Sequence, residues 1–334
     1  MSNEERKATF LDILPDLSDV TLSLPKAVTA AESLQPIAPA VAKEILEQEI
    51  AALPEHQMLM QYRHYRVYYG SAQQLPRMLD EIARCRELTF RELKEGSGAS
   101  EDRDRFDETY LHLFAWDTEA RQLVGAYRLG RTDELRKEGG NDAVYLAQMF
   151  DFAESFYDGP PTLEIGRSFV VPAYQRSHHS LFLLWCGISR YLLKHPRYRQ
   201  LYGVVSMSRL YDVRAMAVMR DVLLEPRDDV RAEAPYEPDL GDSWQSYLNE
   251  RRPFTMKDLS DMVKVLEGDL RDVPVLIRHY HKLGATFHAA AVDANFNNTP
   301  GLLLRLHVPS IPAKYMKTYF GDGWEGYLAY DASD

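Results

Sequence analysis

The chain has 334 residues, 45% of them hydrophobic, and a formal net charge of -11. That length and apolar content suffice for a substantial core, in one large domain or two of ordinary size. The acid excess speaks against a nucleic-acid partner or a generally basic membrane-binding surface. The start Met1-Ser2-Asn3-Glu4-Glu5-Arg6 lacks the basic and apolar regions of a secretory signal, and no apolar run approaches the roughly 20 residues that cross a bilayer. Cys85 and Cys186 fall within helical patterns, as ordinary thiols of a reducing compartment do, not as a disulfide framework or metal site. A cytoplasmic protein with no metal is expected. Position 2 is not glycine and the chain ends Asp331-Ala332-Ser333-Asp334, so neither myristoyl nor prenyl attachment is signalled and any membrane contact is peripheral.

In chain order, residues 1 to 60 carry Pro15, Pro25, Pro36, Pro39 and Pro54 around one helix, Ala40 to Ala52, and read as an extended arm packed on a body that runs from 61 to 334. A strand over Tyr65 to Tyr69 is followed by a helix from about Gln73 to Lys94 and a Gly/Ser/charge loop from Glu95 to Arg105. Strand patterns at Tyr110 to Trp116 and Gln122 to Leu129 flank the turn Asp117-Thr118-Glu119-Ala120 and read as a hairpin. Then come a helical linker at Val144 to Ala153, a strand at Thr162 to Val171, a helix at Ser180 to Leu193, a strand at Leu201 to Ser208 and a helix at Tyr211 to Leu223. Residues 225 to 242 hold seven acids against two arginines, with Pro226, Pro235 and Pro238. They predict a mobile acidic loop, part of an insertion over about 225 to 272. The helix Pro274 to Leu283, stopped by Gly284, and strands at Thr286 to Val292 and Gly301 to Val308 close the chain.

The segment from Leu163 to Arg176 carries the most chemistry. A charge on a core strand costs several kcal/mol unless partnered, and here Glu164 and Arg167 both sit on one. Alternation places Glu164 and Gly166 on one face and Arg167 and Phe169 on the other, unless a bulge at Gly166 breaks the phase. The strand runs into the polar loop Gln175-Arg176-Ser177-His178-His179-Ser180 and then a buried helix, an order that offers unpaired N–H groups and a helix dipole to an anion.

The order of elements from residue 65 resembles the GNAT acyltransferase fold, a mixed, mostly antiparallel sheet flanked by helices. Four segments, Arg105 to Leu113, Val124 to Leu129, Glu164 to Arg176 and Tyr280 to Ala285, are similar to the ornithine-lipid-synthase family, also called hemolysin-like, over about residues 60 to 320. The resemblance implies transfer of a (3-hydroxy)acyl chain from acyl carrier protein to the amino group of an amino acid such as ornithine, giving a lyso-aminolipid. The donor would be acyl-phosphopantetheine, with no permanently bound cofactor. A remoter resemblance, to acyl-homoserine lactone synthases, rests on Arg86, Phe90, Asp104, Asp107, Arg128 and the Glu164/Arg167 pair, and implies that these acids and arginines frame the acceptor pocket. Their tryptophan after the Arg/Phe pair has no counterpart in Arg91 to Ser100. The segment Asp293-Ala294-Asn295-Phe296-Asn297-Asn298-Thr299-Pro300 also departs from the ornithine family's pattern.

Amide formation needs a deprotonated amine, a polarised thioester carbonyl and an exit for the thiolate. Glu164 is the candidate base; the bland alternative makes it only the ion-pair partner of Arg167 or Arg128. Backbone N–H groups near Phe169 to Val171 would hold the oxyanion. Tyr211 is a candidate proton donor to the thiolate. The donor phosphate falls to Arg176, Ser177, His178, His179 and Ser180; this loop lacks the glycines with which coenzyme A users wrap a pyrophosphate, which favours the carrier-protein donor. Arg190, Lys194, Arg197 and Arg199 form a basic cluster fit to dock an acidic carrier protein. An opening between the strands at 164 to 171 and 201 to 208 would take the acyl chain past Phe169, Val171, Val205 or Met207. The acidic 225 to 242 loop would hold an acceptor ammonium, close the pocket or simply be solvated. His112-x4-Asp117 satisfies a glycerolipid acyltransferase pattern, yet five positions along a strand point the two side chains to opposite faces, so His112 reads as a satisfied strand histidine. Two other readings stand beside the leading one: a non-catalytic acyl-carrier or lipid-interaction module partnering a separate O-acyltransferase, and a signal synthase of the homoserine-lactone type.

Overall fold

The computed structural model describes residue 15 and residues 34–177, 179–269 and 271–331. Among these residues ten strands form two sheets: β1 (Met58–Tyr62), β2 (Tyr65–Ser71), β3 (Leu111–Asp117), β4 (Gln122–Arg131), β5 (Phe150–Phe152), β6 (Thr162–Val170), β7 (Gln200–Ser206), β8 (Val230–Ala232), β9 (Thr286–Asp293) and β10 (Thr299–His307). The main sheet runs β1-β2-β3-β4-β6-β7-β10-β9, while β5 and β8 pair apart from it. Every neighbouring pair is antiparallel except β6 and β7. The helix Pro76–Glu92 covers one face, burying Met78, Ile82, Cys85 and Phe90 with Phe114, Ala126 and Phe169. The helix Ser180–Lys194 covers the other, with Leu184 and Ile188 in a core that includes Val67, Leu113 and Ile165.

Local chemistry explains most boundaries. Pro76 opens its helix at the first position, where no N–H is needed. In the β3–β4 hairpin the Asp117 carboxylate accepts the Glu119 and Ala120 amides, both at 2.9 Å, the side-chain turn that the Asp-Thr-Glu-Ala sequence predicts. Gly284, at φ 89°, caps Val275–Leu283 as expected.

Three expectations fail for tertiary reasons. The helical linker over Val144 to Ala153 is a single 3-10 turn, Tyr145–Gln148, followed by β5, because Phe150 and Phe152 are drawn into an aromatic cluster with Phe156 and Tyr202. The acidic 225 to 242 segment is no mobile loop. Residues Val230–Ala232 pair with β5, and the amides of Glu225 and Tyr236 donate to the carbonyls of Phe287 and Ala290 on β9. The wider 225 to 272 insertion carries two helices, Gly241–Arg251 and Met256–Glu267, whose Trp244, Leu248, Leu259 and Met262 are buried. Of the N-terminal arm, residues 1–14 and 16–33 lie outside the described residues. Its helix Lys43–Ala52 is fastened to Pro76–Glu92 by Glu49, which accepts the Arg77 and Met78 amides at 2.8 and 2.7 Å. The sheet already begins at Met58, inside the stretch read as arm.

The sheet's one parallel junction positions the site. Strands β6 and β7 pair only through Thr162–Gln200, Leu163–Leu201 and Glu164–Tyr202. Beyond Glu164 they part. On its other edge β6 pairs Gly166 with Arg128 and then Phe169 with Ala126, so Arg167 and Ser168 together oppose one residue of β4. This bulge lies at Arg167, whose φ is 46°, and not at Gly166. It reverses the phase: Phe169 joins the face that carries Glu164, against the opposite-face alternative.

Candidate active site

Glu164 is the last residue of β6 to pair with β7, and it points into the opening where they separate. Its side chain is 2% exposed. One carboxylate oxygen accepts the Tyr110 hydroxyl at 3.1 Å, the Leu146 amide at 3.4 Å and the Tyr202 hydroxyl at 3.5 Å. Burial pushes the carboxyl up to about 7, against the Arg128 charge and these donors, which favour ionisation. A carboxyl poised there can accept a proton near neutral pH. The ion pair with Arg167 or Arg128 does not form: both guanidiniums are directed at aspartates instead.

Those aspartates belong to a closed network. Asp107, wholly buried, accepts two hydrogen bonds from Arg86 at 2.9 and 2.8 Å and a third from Arg128 at 3.2 Å. Burial opposes its charge, but the two guanidiniums outweigh burial and hold the carboxyl far below the usual range. Asp104 takes Arg128 at 2.6 Å, and the turn Arg105–Glu108 is locked by a reciprocal cap between Asp104 and Asp107. Arg167 lies 3.3 Å from Asp102 and 4.0 Å from Asp293, with its guanidinium over the Tyr145 ring. Arg128 also faces that ring, and the Tyr145 hydroxyl donates to Asp293 at 2.7 Å. Of the five predicted acceptor residues, Phe90 and Arg128 line the cavity at Glu164. Arg86, Asp104 and Asp107 stand behind them as support.

The cavity, about 140 Å³, is bounded by β6 from Glu164 to Ser168, by Val204, Val205 and Ser206 of β7, and by Phe90, Tyr145 and Phe296. Sequence reasoning missed its ionisable residues Tyr145, Asp293 and Glu95, and also Tyr110, which bonds Glu164 from behind the lining. Asp293 and Phe296 sat in the segment noted only for departing from the family pattern. Glu95 had no signal at all, since a carboxylate in a Gly/Ser/charge loop reads as solvated, yet it is 2% exposed.

Residues 85–185 match the acetyltransferase (GNAT) domain family. A glycine N(alpha)-acyltransferase from Bacteroides thetaiotaomicron is 28% identical over 77% of this chain and 80% of its own length. An L-ornithine N(alpha)-acyltransferase from Agrobacterium fabrum is 30% identical over 71% and 77%. The chain belongs to the GNAT-fold family of amino-acid N(alpha)-acyltransferases. Among solved structures, FeeM, an N-acyl amino acid synthase from uncultured soil microbes, aligns with 73% of this chain and 91% of its own at 12% identity and a TM-score of 0.39.

The remaining predicted residues of the acyltransferase are distributed unevenly. After β6 the chain makes a 3-10 turn, Pro172–Tyr174, and enters the helix at Ser180, whose first turn has no side-chain cap. Arg176 is exposed there, Ser177 accepts the His179 amide at 3.2 Å, and Ser180 donates to the Tyr174 carbonyl at 2.9 Å; His178 lies outside the described residues. The Val171 amide is taken by the Val124 carbonyl at 3.0 Å. That removes it from the oxyanion group, and strand alternation turns the Val170 amide toward the open side. Val205 lines the cavity, whereas Phe169 and Val171 pack beneath Pro76–Glu92 and Met207 is buried in the main core. The Tyr211 hydroxyl donates a hydrogen bond to the Asp272 carbonyl at 2.5 Å and is not among the cavity's lining residues.

The basic cluster lies toward the far end of the helix from the loop Gln175 to Ser180, its last helical member, Lys194, about 21 Å from Ser180. There Arg197 is tied to Asp133 and Glu134 at 2.6 and 2.5 Å, Arg190 to the Phe320 carbonyl, and Arg199 to the Tyr327 and Leu328 carbonyls. Lys194 is exposed. His112 donates through Nε2 to the Asp107 carbonyl, 2.8 Å away, and Asp117 is bound by Tyr174, so the His-x4-Asp pair does not form. Both thiols are free and buried, pushed up to about 12. No helix among the described residues is long and apolar enough to cross a membrane.

Proposed function

We propose that this acyltransferase moves a long (3-hydroxy)acyl chain from the phosphopantetheine thiol of acyl carrier protein to the α-amino group of an amino acid of the ornithine or glycine class. The reaction is direct. The acceptor nitrogen attacks the thioester carbonyl while Glu164 takes its proton, directly or through a water; the C–S bond then breaks and the thiolate leaves, to be protonated. The Val170 amide is the candidate donor to the carbonyl oxygen as it becomes an oxyanion.

The observation that carries the reading is a buried carboxyl, poised near neutrality, at the point where β6 and β7 part. The relatives' names support the acceptor class. The carrier-protein donor is supported by the loop from Gln175 to Ser180, whose two missing glycines leave room for one phosphate and not for the wrapped pyrophosphate of coenzyme A. A cavity of about 140 Å³ is small beside the roughly 300–1,000 Å³ of ordinary ligand pockets, which suits an amino-acid head with the acyl tail running outward. The membrane surface, where such a product would partition, is the proposed place of peripheral contact.

Incubation with 3-hydroxyacyl carrier protein and a mixture of amino acids, followed by product mass and released thiol, tests the proposal. Acyl-amino acid with stoichiometric thiol is the expected result. No turnover with any donor would instead support the non-catalytic carrier-binding module.

A further inference from the structure

Glu95 is a second carboxyl in the same cavity, and it is built in with care. Lys94, at φ 57°, turns the chain sharply after the helix Pro76–Glu92, and the Glu95 amide donates back to the Phe90 carbonyl at 2.9 Å. The turn is clamped from two sides: Ser208 donates to the Leu93 carbonyl and Asn297 to the Lys94 carbonyl, each at 2.9 Å. The side chain is 2% exposed and hydrogen-bonded to Ser206, while its Oε1 is buried with no hydrogen-bond partner. The same cavity is lined by the apolar Phe90, Leu93 and Leu276.

A buried carboxyl oxygen without a partner is costly to the fold. The cavity's own cations do not relieve it, because Arg128 is held by Asp104 and Asp107, and Arg167 lies against Asp102 and Asp293. No described group of the protein supplies the partner, and a ligand entering the cavity can. In an amino-acid acceptor the α-amine is assigned to Glu164, which leaves the side chain.

We propose that Glu95 is the specificity residue for the acceptor, receiving a side-chain ammonium and so selecting amino acids with a cationic side chain over glycine and apolar amino acids. This rests on the acyl-transfer reading above and narrows its substrate class. Burial raises the Glu95 carboxyl to about 8, so the empty site keeps its proton near neutral pH and ionises when the ammonium arrives.

The test offers the full-length protein equal concentrations of L-ornithine, L-lysine, L-norvaline and glycine with 3-hydroxyacyl carrier protein, and measures each acylated product by mass. Norvaline has the carbon skeleton of ornithine without its terminal amine. The expected result is a preference for ornithine or lysine over norvaline of at least about tenfold in kcat/KM, as loss of a buried charge partner implies. Glu95→Gln should bring that ratio toward one, and Glu95→Asp, which keeps the charge but shortens its reach, should give an intermediate value. Equal use of norvaline by the unaltered protein, or an unchanged ratio in Glu95→Gln, would overturn the assignment. If no amino acid is acylated, the acyl-transfer reading fails by itself, and calorimetric titration decides the matter of Glu95: ornithine binding that norvaline does not share and that Glu95→Gln abolishes sustains the site, while equal or absent binding rejects it.

Discussion

Two sets of acids flank the opening of β6, all buried except the half-buried Asp104, and they have been treated in opposite ways. Asp102, Asp104 and Asp107 meet Arg86, Arg128 and Arg167 in a network that leaves the charges matched and fixed. Glu164 and Glu95 meet hydroxyls, one amide and apolar walls, and both are lifted toward neutrality. Paired charge organises the sheet's edge, whereas buried carboxyls without an ion-pair partner keep a proton to exchange. The first group holds the wall of the site still, and the second faces whatever enters.

The largest effect that separates the two sets should come from Glu164→Gln. It should lower kcat by about 10²–10⁴-fold with little loss of stability, and full rate in the variant would remove the base. Asp107→Asn should do the reverse in kind. Taking the charge from between Arg86 and Arg128 leaves the first with only Asp102 and the second with only Asp104, at about 3–5 kcal/mol for the broken buried pairs, so the urea midpoint should fall sharply. An unchanged midpoint would erase the contrast.

The pH dependence sharpens it further. For Glu164 the folded value of about 7 exceeds the ordinary 4.5, so its stabilising contribution is complete below 4.5 and is lost as pH rises through 7; Glu95 follows the same sign to about 8. Asp107 is depressed, so its contribution is present above 3.8 and is lost as pH falls through its folded value. Glu164→Gln should consequently unfold later than the unaltered protein at pH 8 by about 1–3 kcal/mol, and match it at pH 4, in parallel denaturant titrations. The catalytic rate should run the other way, rising with pH through about 7 as the base ionises. A flat profile would place the essential base elsewhere.

The smallest effect belongs to the far end of the helix Ser180–Lys194. Arg197→Ala breaks a half-exposed pair with Asp133 and Glu134, a change of about 1 kcal/mol or less, and should leave the apparent KM for the donor within twofold. Arg176→Glu, beside the donor loop, should raise that KM by more, and less so as salt increases. Equal effects at the two arginines would return the docking role to the whole helix.

Much of the framework was legible because it is written in local terms. The hairpin turn at Asp117, the cap at Gly284 and the strand, loop and helix from Thr162 to Lys194 each depend on residues within a few positions of one another. Glu164 could be singled out for the same reason, as a carboxylate on an apolar strand invites explanation wherever the strand lies. The acidic segment after Glu225 misled, since composition cannot say that β5 and β9 offer its backbone a partner. Glu95 was hidden by a similar limit: an ordinary loop residue became a cavity wall only when Ser206, Ser208 and Asn297 closed over its turn.

What the amino-acid order settled by itself was the β3–β4 hairpin, the strand, loop and helix from Thr162 to Lys194 and the identity of the strand that bears the central carboxyl, because periodicity, turns and caps are short-range properties. The three-dimensional arrangement alone decided which charges would be matched. Arg167 turned to Asp102 and Asp293, and not to its neighbour Glu164, because the bulge redirected its side chain and the chain brought distant acids to meet it. Solvation and partner distance set the state of a buried ionisable group, and both depend on residues that only folding makes neighbours.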